Sequence, residues 1–350
     1  MRNFDKRLRS LPESIWEKVG QIEALRGQWT SGVSLSAQLL GRLKRSVLVT
    51  STGASTRIEG SQLSDEDVEK FIRGLAMQKF TARDKQEVRG YYELLTKLFE
   101  NWPSIRFSES TIKHLHKELL LFSEKDRWHR GDYKTNENRV EAVDGQGNIL
   151  GTIFKTTPPY LTAKEMGELI EWTERQLRIR KYNHLLVVGN FLVEFLNIHP
   201  FQDGNGRLAR ILTNFFLLKE GYVYMPYVSH EKIIEDNKDA YYLALRQSQK
   251  TINTKNENIT PWLEFFLTVL LKQSMMAIDV LNKQDIEKLL SPKQLSVWQY
   301  LQAVSEATPQ EISQKTKVAR PTVNQALTKL LSYKKIERLG LGRAVRYKKL

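Results

Sequence analysis

At 350 residues without a cysteine, the chain is long enough for two or three units with cores of their own, and disulfides and thiolate metal sites are excluded. Fifty-four Lys and Arg against 40 Asp and Glu give a formal net charge of +14. The cysteine-free composition suits a reducing compartment and the charged opening from Met1 to Ser10 is unlike a secretory leader, so the expectation is a cytoplasmic protein.

In chain order, Leu11 to Trp29 is amphipathic, and the first forty residues either cover a core or mediate self-association, which leaves a homodimer open. Leu35 to Thr50 reads as a helix. Beyond Gly53 comes Ser55-Thr56-Arg57-Ile58-Glu59-Gly60, whose Ser55 and Glu59 taken alone suit a cap or a solvated helix face. Arg139 to Val143 and Ile149 to Phe154, which includes Ile153, are short β-prone runs around Asp144-Gly145-Gln146-Gly147-Asn148, a hairpin signal. A helix then runs to about Leu177, with Thr162 as its expected N-cap and Glu165 closing a capping box.

His184 to Ile198 is apolar on almost every side and predicts a buried helix. Leu208 to Leu217 repeats the pattern, with Gly221 as a glycine stop. Between them stands His199-Pro-Phe-Gln-Asp-Gly-Asn-Gly-Arg-Leu-Ala-Arg210. Gly204-Asn205-Gly206 can adopt positive φ and bring bare amides to an anion at a helix start. Arg207 and Arg210, three apart, are expected to project together and grip the outer phosphates of a triphosphate. Asp203 is placed to hold Mg2+, His199 to take a proton, and Phe201 to pack inward and lock the loop. Farther on, a helix from about Glu231 carries Tyr241 and Tyr242. The apolar run Trp262 to Leu271, interrupted by Glu264, is too short to span a bilayer, so no membrane partner is expected.

From Ser291 onward there are 12 Lys and Arg against 3 Asp and Glu, which leaves +9 in a small terminal module. A helix over Ser296 to Val304, a second opened by the Thr308-Pro309-Gln310-Glu311 capping box, a third opened by Pro321 with Val323, Leu327 and Leu330 buried, and a wing from Ile336 to Tyr347 are expected. Together they resemble a winged helix. Such a module binds duplex DNA through its outward helix face or serves as a protein contact.

The stretch from His199 to Arg210 resembles the signature of the Fic family, H-x-F-x-[D/E]-G-N-G-R-x-x-R, at every defined position. The resemblance implies a mainly α fold, with a Fic-type helical core and a β-hairpin flap, here followed by a winged helix-turn-helix. It also implies transfer of AMP from ATP to a Tyr, Ser or Thr hydroxyl of a target protein. His199 would be the base, Asp203 the Mg2+ ligand, Gly204, Asn205, Gly206 and Arg207 the phosphate cradle, and Arg210 the γ-phosphate partner. Ser55 and Glu59 resemble the inhibitory motif of the class whose N-terminal helix obstructs the site, with Glu59 occupying Arg210. Ile153 and Phe154 would clamp the target on the flap, and Tyr241 and Tyr242 would lie beside adenine. The expected organisation is an N-terminal helical region over 1–80, a catalytic core over 81–284 and a winged helix over 285–350. Two other readings stay open: a DNA-binding regulator whose core senses ATP, against which an intact His199 speaks, and removal of AMP from a modified target.

Overall fold

The computed structural model describes residues 4–32, 35–74, 82–143, 149–333, 335–340 and 345–350, and gives backbone only at 82, 139–143, 149–154 and 283–289. It divides into two compact units, Met1–Ile278 and Asp279–Leu350. The first unit is almost entirely helical. After a 3-10 turn at Phe4–Leu8 come α1 (Glu13–Gly32), α2 (Ala37–Ile58), α3 (Asp65–Ile72), α4 (Ala82–Asn101) and α5 (Glu109–Leu119). Strands β1 (Arg139–Val143) and β2 (Ile149–Lys155) precede α6 (Pro159–Ile179), α7 (His184–Ile198), α8 (Asn205–Lys219), α9 (His230–Glu235), α10 (Lys238–Gln249) and α11 (Thr260–Leu289), the last of which crosses the boundary.

The two apolar helices form the centre. Every α7 residue except Asn197 is buried, as is all of α8 from Arg207 to Leu218. Phe107, Phe191, Phe215 and Phe216 interlock there, with ring centroids 4.8–6.5 Å apart. Helix α7 stops because His199 turns left-handed at φ 52° and Pro200 follows. Helix α8 stops as its sequence predicts: Gly221 has φ 88°, and the Gly221 and Tyr222 amides donate back to Leu218 and Leu217.

Three expectations are corrected. Helix α2 does not break near Thr50 but runs through Gly53 to Ile58, burying Ser51, Thr52, Ser55 and Thr56. These polar residues fit inside because Thr52 and Thr56 return their hydroxyls to the carbonyls of Leu48 and Thr52, 2.7 and 3.0 Å away. Helix α6 begins at Pro159, not after Thr162: the proline supplies the preset φ. Thr162 is buried one turn in and donates to Pro158 O, while Glu165 accepts from Thr157 Oγ1. The helix expected from Glu231 is two, α9 and α10, broken at Asp236 and Asn237.

Strands β1 and β2 pair antiparallel, with Val140 opposite Phe154 and register irregularities on either side of Glu141–Ala142. Their connecting Asp144–Asn148 turn lies outside the described residues, as do the side chains of Ile153 and Phe154.

The second unit holds α12 (Pro292–Ala303), α13 (Pro309–Thr316), α14 (Arg320–Ser332) and the antiparallel pair β3 (Ile336–Leu339) and β4 (Arg346–Lys349). Helix α12 starts earlier than Ser296, because Ser291 and Gln294 form a capping box with Pro292 at the first turn. The Thr308–Glu311 box is present. Val297, Trp298, Ile312, Val323, Leu327 and Leu330 form one core with Ile336. Residues 341–344 lie outside the described residues. No helix among the described residues is long and apolar enough to cross a membrane.

Candidate active site

The site is the junction of α7 and α8. Gly204, at φ 79°, is the N-cap of α8 and carries no side chain to bond its first amides, so that helix start is left to an anion. Asn205 closes the turn on itself: its Oδ1 accepts from Phe201 N at 3.0 Å and its Nδ2 donates to Phe201 O at 2.7 Å. Its side chain is buried and both of its polar atoms are spent on the turn. Phe201 is fully buried and stacks on His116, ring centroids 3.8 Å apart.

His199 is partly buried, and its Nδ1 lies 3.3 Å from Leu196 O. A carbonyl accepts only from N–H, so this contact assigns the proton to Nδ1 and leaves the Nε2 lone pair to act as acceptor. Burial above all lowers the imidazole from its ordinary value to about 4; the hydrogen bond to Leu196 O opposes it, the Lys134 charge adds to it, and Glu59 and Asp203 pull the other way. The ring is neutral at pH 7, with the Nε2 lone pair free of a proton.

Arg207 and Arg210 do not project together into the opening. Both are 2% exposed. Arg207 reaches Asp203 Oδ1 at 3.2 Å and lies 3.3 Å from Glu87 Oε2. Arg210 is held from α2: Nε donates to Ser55 Oγ at 2.8 Å, and Nη2 donates to Ser55 O at 3.0 Å and to Glu59 Oε1 at 2.7 Å. Nε of Arg207 and Nη1 of Arg210 are buried with no hydrogen-bond partner among the described residues, and Arg207 Nη1 has only its ion pair with Glu87. Buried cationic donors without acceptors are costly unless an anion completes them.

Glu59 caps α2, and its carboxylate, about a third exposed at 32%, lies over Gly206, where an added Cβ would collide with Oε1. Burial alone would raise its carboxyl, but Arg210 and then Arg207 outweigh that and hold it below the ordinary range. Asp203 likewise stays ionised: burial opposes, and Arg207 and Lys125 prevail, Lys125 Nζ lying 2.7 Å from Oδ2 and Gly204 N 2.6 Å from Oδ1.

Tyr241 and Tyr242 part company. Tyr241 is 4% exposed and packs on Trp262 and Phe265, centroids 5.9 and 5.7 Å away, so it is core beneath the site. Tyr242 is partly exposed and donates to Ile58 O at 3.3 Å, next to Glu59.

Several participants carry no pattern in the sequence. His116 is completely buried on α5; Gly131 N donates to its Nδ1 at 2.9 Å, which leaves Nε2–H to donate to Asp203 O at 3.0 Å. Burial lowers its pKa to about 4. Lys134 is 3% exposed and sits under the turn. Glu231, 1% exposed, accepts from Ser51 on α2, Tyr91 on α4 and Asn214 on α8 at 2.7–3.0 Å, tying α2 to the core. Arg57 fastens the end of α2, pairing with Glu235 and with Asp65 at 2.8 Å. Gly53 permits this: a Cβ there would stand 2.6 Å from both Arg57 Nη1 and Asp65 Oδ1.

Residues 106–217, which contain this turn, match the Fic/DOC family model. Over that stretch the chain is similar to the Fic/DOC family. It is 32% identical over 92 residues to a probable protein adenylyltransferase of Aquifex aeolicus, covering 26% of this chain and 28% of that one. It is 35% identical over 98 residues to a Fido domain-containing protein of Dictyostelium discoideum, covering 28% and 63%. In each case the match spans less than two thirds of the relative. A Fic family protein from Desulfovibrio desulfuricans shares the fold over 97% of both chains, with TM-score 0.62 and 23% identity. A Fic domain containing signaling protein from Bacteroides thetaiotaomicron gives TM-score 0.62 and 22% identity over 75% of this chain and 97% of its own.

Proposed function

We propose that this protein transfers AMP from ATP to a hydroxyl of a target protein and is restrained by Glu59. One observation carries the reading: the chain's own carboxylate rests on Gly206 and Arg210, at a helix start beside two buried arginine donors, Arg207 Nε and Arg210 Nη1, that have no hydrogen-bond partner among the described residues. An anion site occupied by an internal anion is suited to a phosphate and to its exclusion. The name of the Aquifex relative supports the same chemistry.

In this mechanism the target oxygen attacks the α-phosphorus while the bond to pyrophosphate breaks, and the hydroxyl proton passes to His199 Nε2. The bare amides after Gly204 hold phosphate oxygens, Arg207 neutralises charge under the turn, and Arg210 orients the γ-phosphate once Glu59 has left it. Asp203 would hold Mg2+. Its carboxylate is ionised and 30% exposed, and no group of three or more His, Cys, Asp or Glu among the described residues could hold a metal by itself. A cation there must be completed by phosphate and water, which fits Mg2+. Asp203 would be its protein ligand, and the chemistry it would supply there is stabilisation of the negative charge on the phosphates. Tyr242, bonded to the end of α2, is the better placed of the two tyrosines to meet the base. Ile153 and Phe154 on β2 would hold the target chain beside His199.

The test is labelled ATP with Mg2+, using the Glu59→Gly protein and mass spectrometry of modified hydroxyls. AMP on a Ser, Thr or Tyr is expected. No label from ATP, or preferential label from CTP, GTP or UTP, overturns the assignment.

A second reading concerns Asp279–Leu350, which we propose is a winged helix that binds duplex DNA. No Asp or Glu occurs between Ile312 and Lys335, and Arg320, Asn324, Gln325 and Thr328 are exposed on α14. Full-length protein should shift duplex DNA with affinity that falls as salt rises, and absence of binding at low salt would remove this reading.

A further inference from the structure

We infer that Lys134 is a positioning residue for the transfer reaction, its ammonium joining both feet of the β1–β2 hairpin to the backbone of the His199 turn. The inference rests on the proposed transfer chemistry. Lys134 Nζ donates to Asn138 Oδ1 at 2.8 Å, to Thr156 Oγ1 at 2.8 Å and to Ile198 O at 3.0 Å. Asn138 immediately precedes β1 and Thr156 immediately follows β2. Ile198 is the last residue of α7. An ammonium has three donors and no acceptor, so each of its N–H bonds is assigned to a different segment.

The join is reinforced on both sides of His199. Lys134 N donates to Pro200 O at 2.9 Å, Asn138 Nδ2 donates to Phe201 O at 2.9 Å, and Thr156 Oγ1 lies 2.9 Å from Asn138 O. Lys134 thus grips the carbonyls of the residues directly before and after the base. His199 itself is in the left-handed region at φ 52°, a conformation that a non-glycine residue keeps only when its surroundings impose it. Among the described residues the ring's one hydrogen bond is to Leu196 O, so its direction follows the backbone that Lys134 holds. The hairpin that would present the target hydroxyl and the imidazole that would take its proton are referred to one charged atom.

Lys134 also acts on His199 through its charge. Among the groups facing the ring, Lys134 lowers the imidazole pKa and Glu59 and Asp203 raise it, while burial is the largest influence. Removing the cation must therefore move the ring upward from about 4. A side chain that merely filled space would leave that titration where it was.

The experiment compares Glu59→Gly with Glu59→Gly/Lys134→Met and Glu59→Gly/Thr156→Val, each checked for folding by circular dichroism. The Met variant is expected to lose about 100-fold in kcat, the scale of a small misplacement of reacting groups, with a much smaller change in KM for ATP, because Lys134 touches no part of the α8 anion site. The Val variant keeps the cation and loses one acceptor, so a smaller kcat loss is expected. NMR titration of the labelled His199 ring should move to higher pH in the Met variant and stay in place in the Val variant. The inference is overturned if the Met variant retains the parent kcat, or if its loss only tracks the unfolded fraction while the His199 titration is unmoved. If Glu59→Gly itself transfers nothing, the proposed chemistry fails, and the ring titration still decides whether Lys134 governs His199.

Discussion

Replacing Glu59 by Gly should raise AMP transfer, and the size of the rise follows from what holds Arg210. The Glu59 carboxylate accepts one charge-assisted bond from Arg210 Nη2 at 2.7 Å, while Ser55 accepts two more from the same guanidinium. Such a bond contributes about 1.5–3 kcal/mol when one partner is charged. At about 1.4 kcal/mol per factor of ten, that corresponds to roughly 10- to 100-fold in the population of a free Arg210. Glu59 is 32% exposed, so solvent screening favours the lower end. The Ser55 contacts survive the substitution and keep Arg210 in place, so the freed Nη2 is offered to a γ-phosphate without loss of order. Initial rates at saturating ATP, measured by label incorporation, should differ by that factor, and the variant should melt at a lower temperature because the same bond is lost from the resting fold. Equal rates would refute the reasoning, since Glu59 would then be a helix cap that happens to touch an arginine.

His199→Ala should lower transfer by about 10²–10⁴-fold while leaving Mg2+-dependent ATP uptake by the Glu59→Gly protein intact in calorimetry. Undiminished transfer would remove His199 from the proton step. The lowered imidazole pKa sets the sign of the acid response: the base is neutral above about 4, so transfer should persist through mildly acidic pH and fall as pH drops through that value. A limb near the ordinary histidine value would contradict the buried, lysine-facing pose. His116→Ala removes a ring stacked on Phe201 together with its links to Gly131 N and Asp203 O. It should cost about 2–4 kcal/mol in denaturant unfolding, the range for a buried ring with hydrogen bonds. A cost near zero would mean that the turn is held without it. Gly206→Ala should weaken nucleotide binding even without Glu59, because its methyl would stand in the space that Glu59 now takes, and unchanged affinity would place the phosphates elsewhere.

The sequence by itself determined the central helices and the turn between them. An almost wholly apolar run can only be buried, and a proline and two glycines confine the chain between such runs to a tight bend. It also gave the Thr308 cap of the terminal unit, because a Thr–Glu box with proline at the first turn is a local device whose geometry needs no distant partner, although the like box at Ser291 emerged only in the structure. Only the tertiary structure decided the rest. Helix α2 has no apolar stripe over Ser51–Thr56, and hydroxyls returned to its own backbone hide its burial from any reading of hydrophobic period. Arg207 and Arg210, three apart, were expected to share an outlook, yet each is buried and bound to a different remote carboxylate, Glu87 and Glu59. His116, Lys134 and Glu231 are single polar residues in unremarkable surroundings, and they matter because segments far away in the chain converge on them. Periodicity and capping are local and therefore legible in one strand of text, whereas the pairing of a buried charge is fixed by whichever helix folding brings beside it.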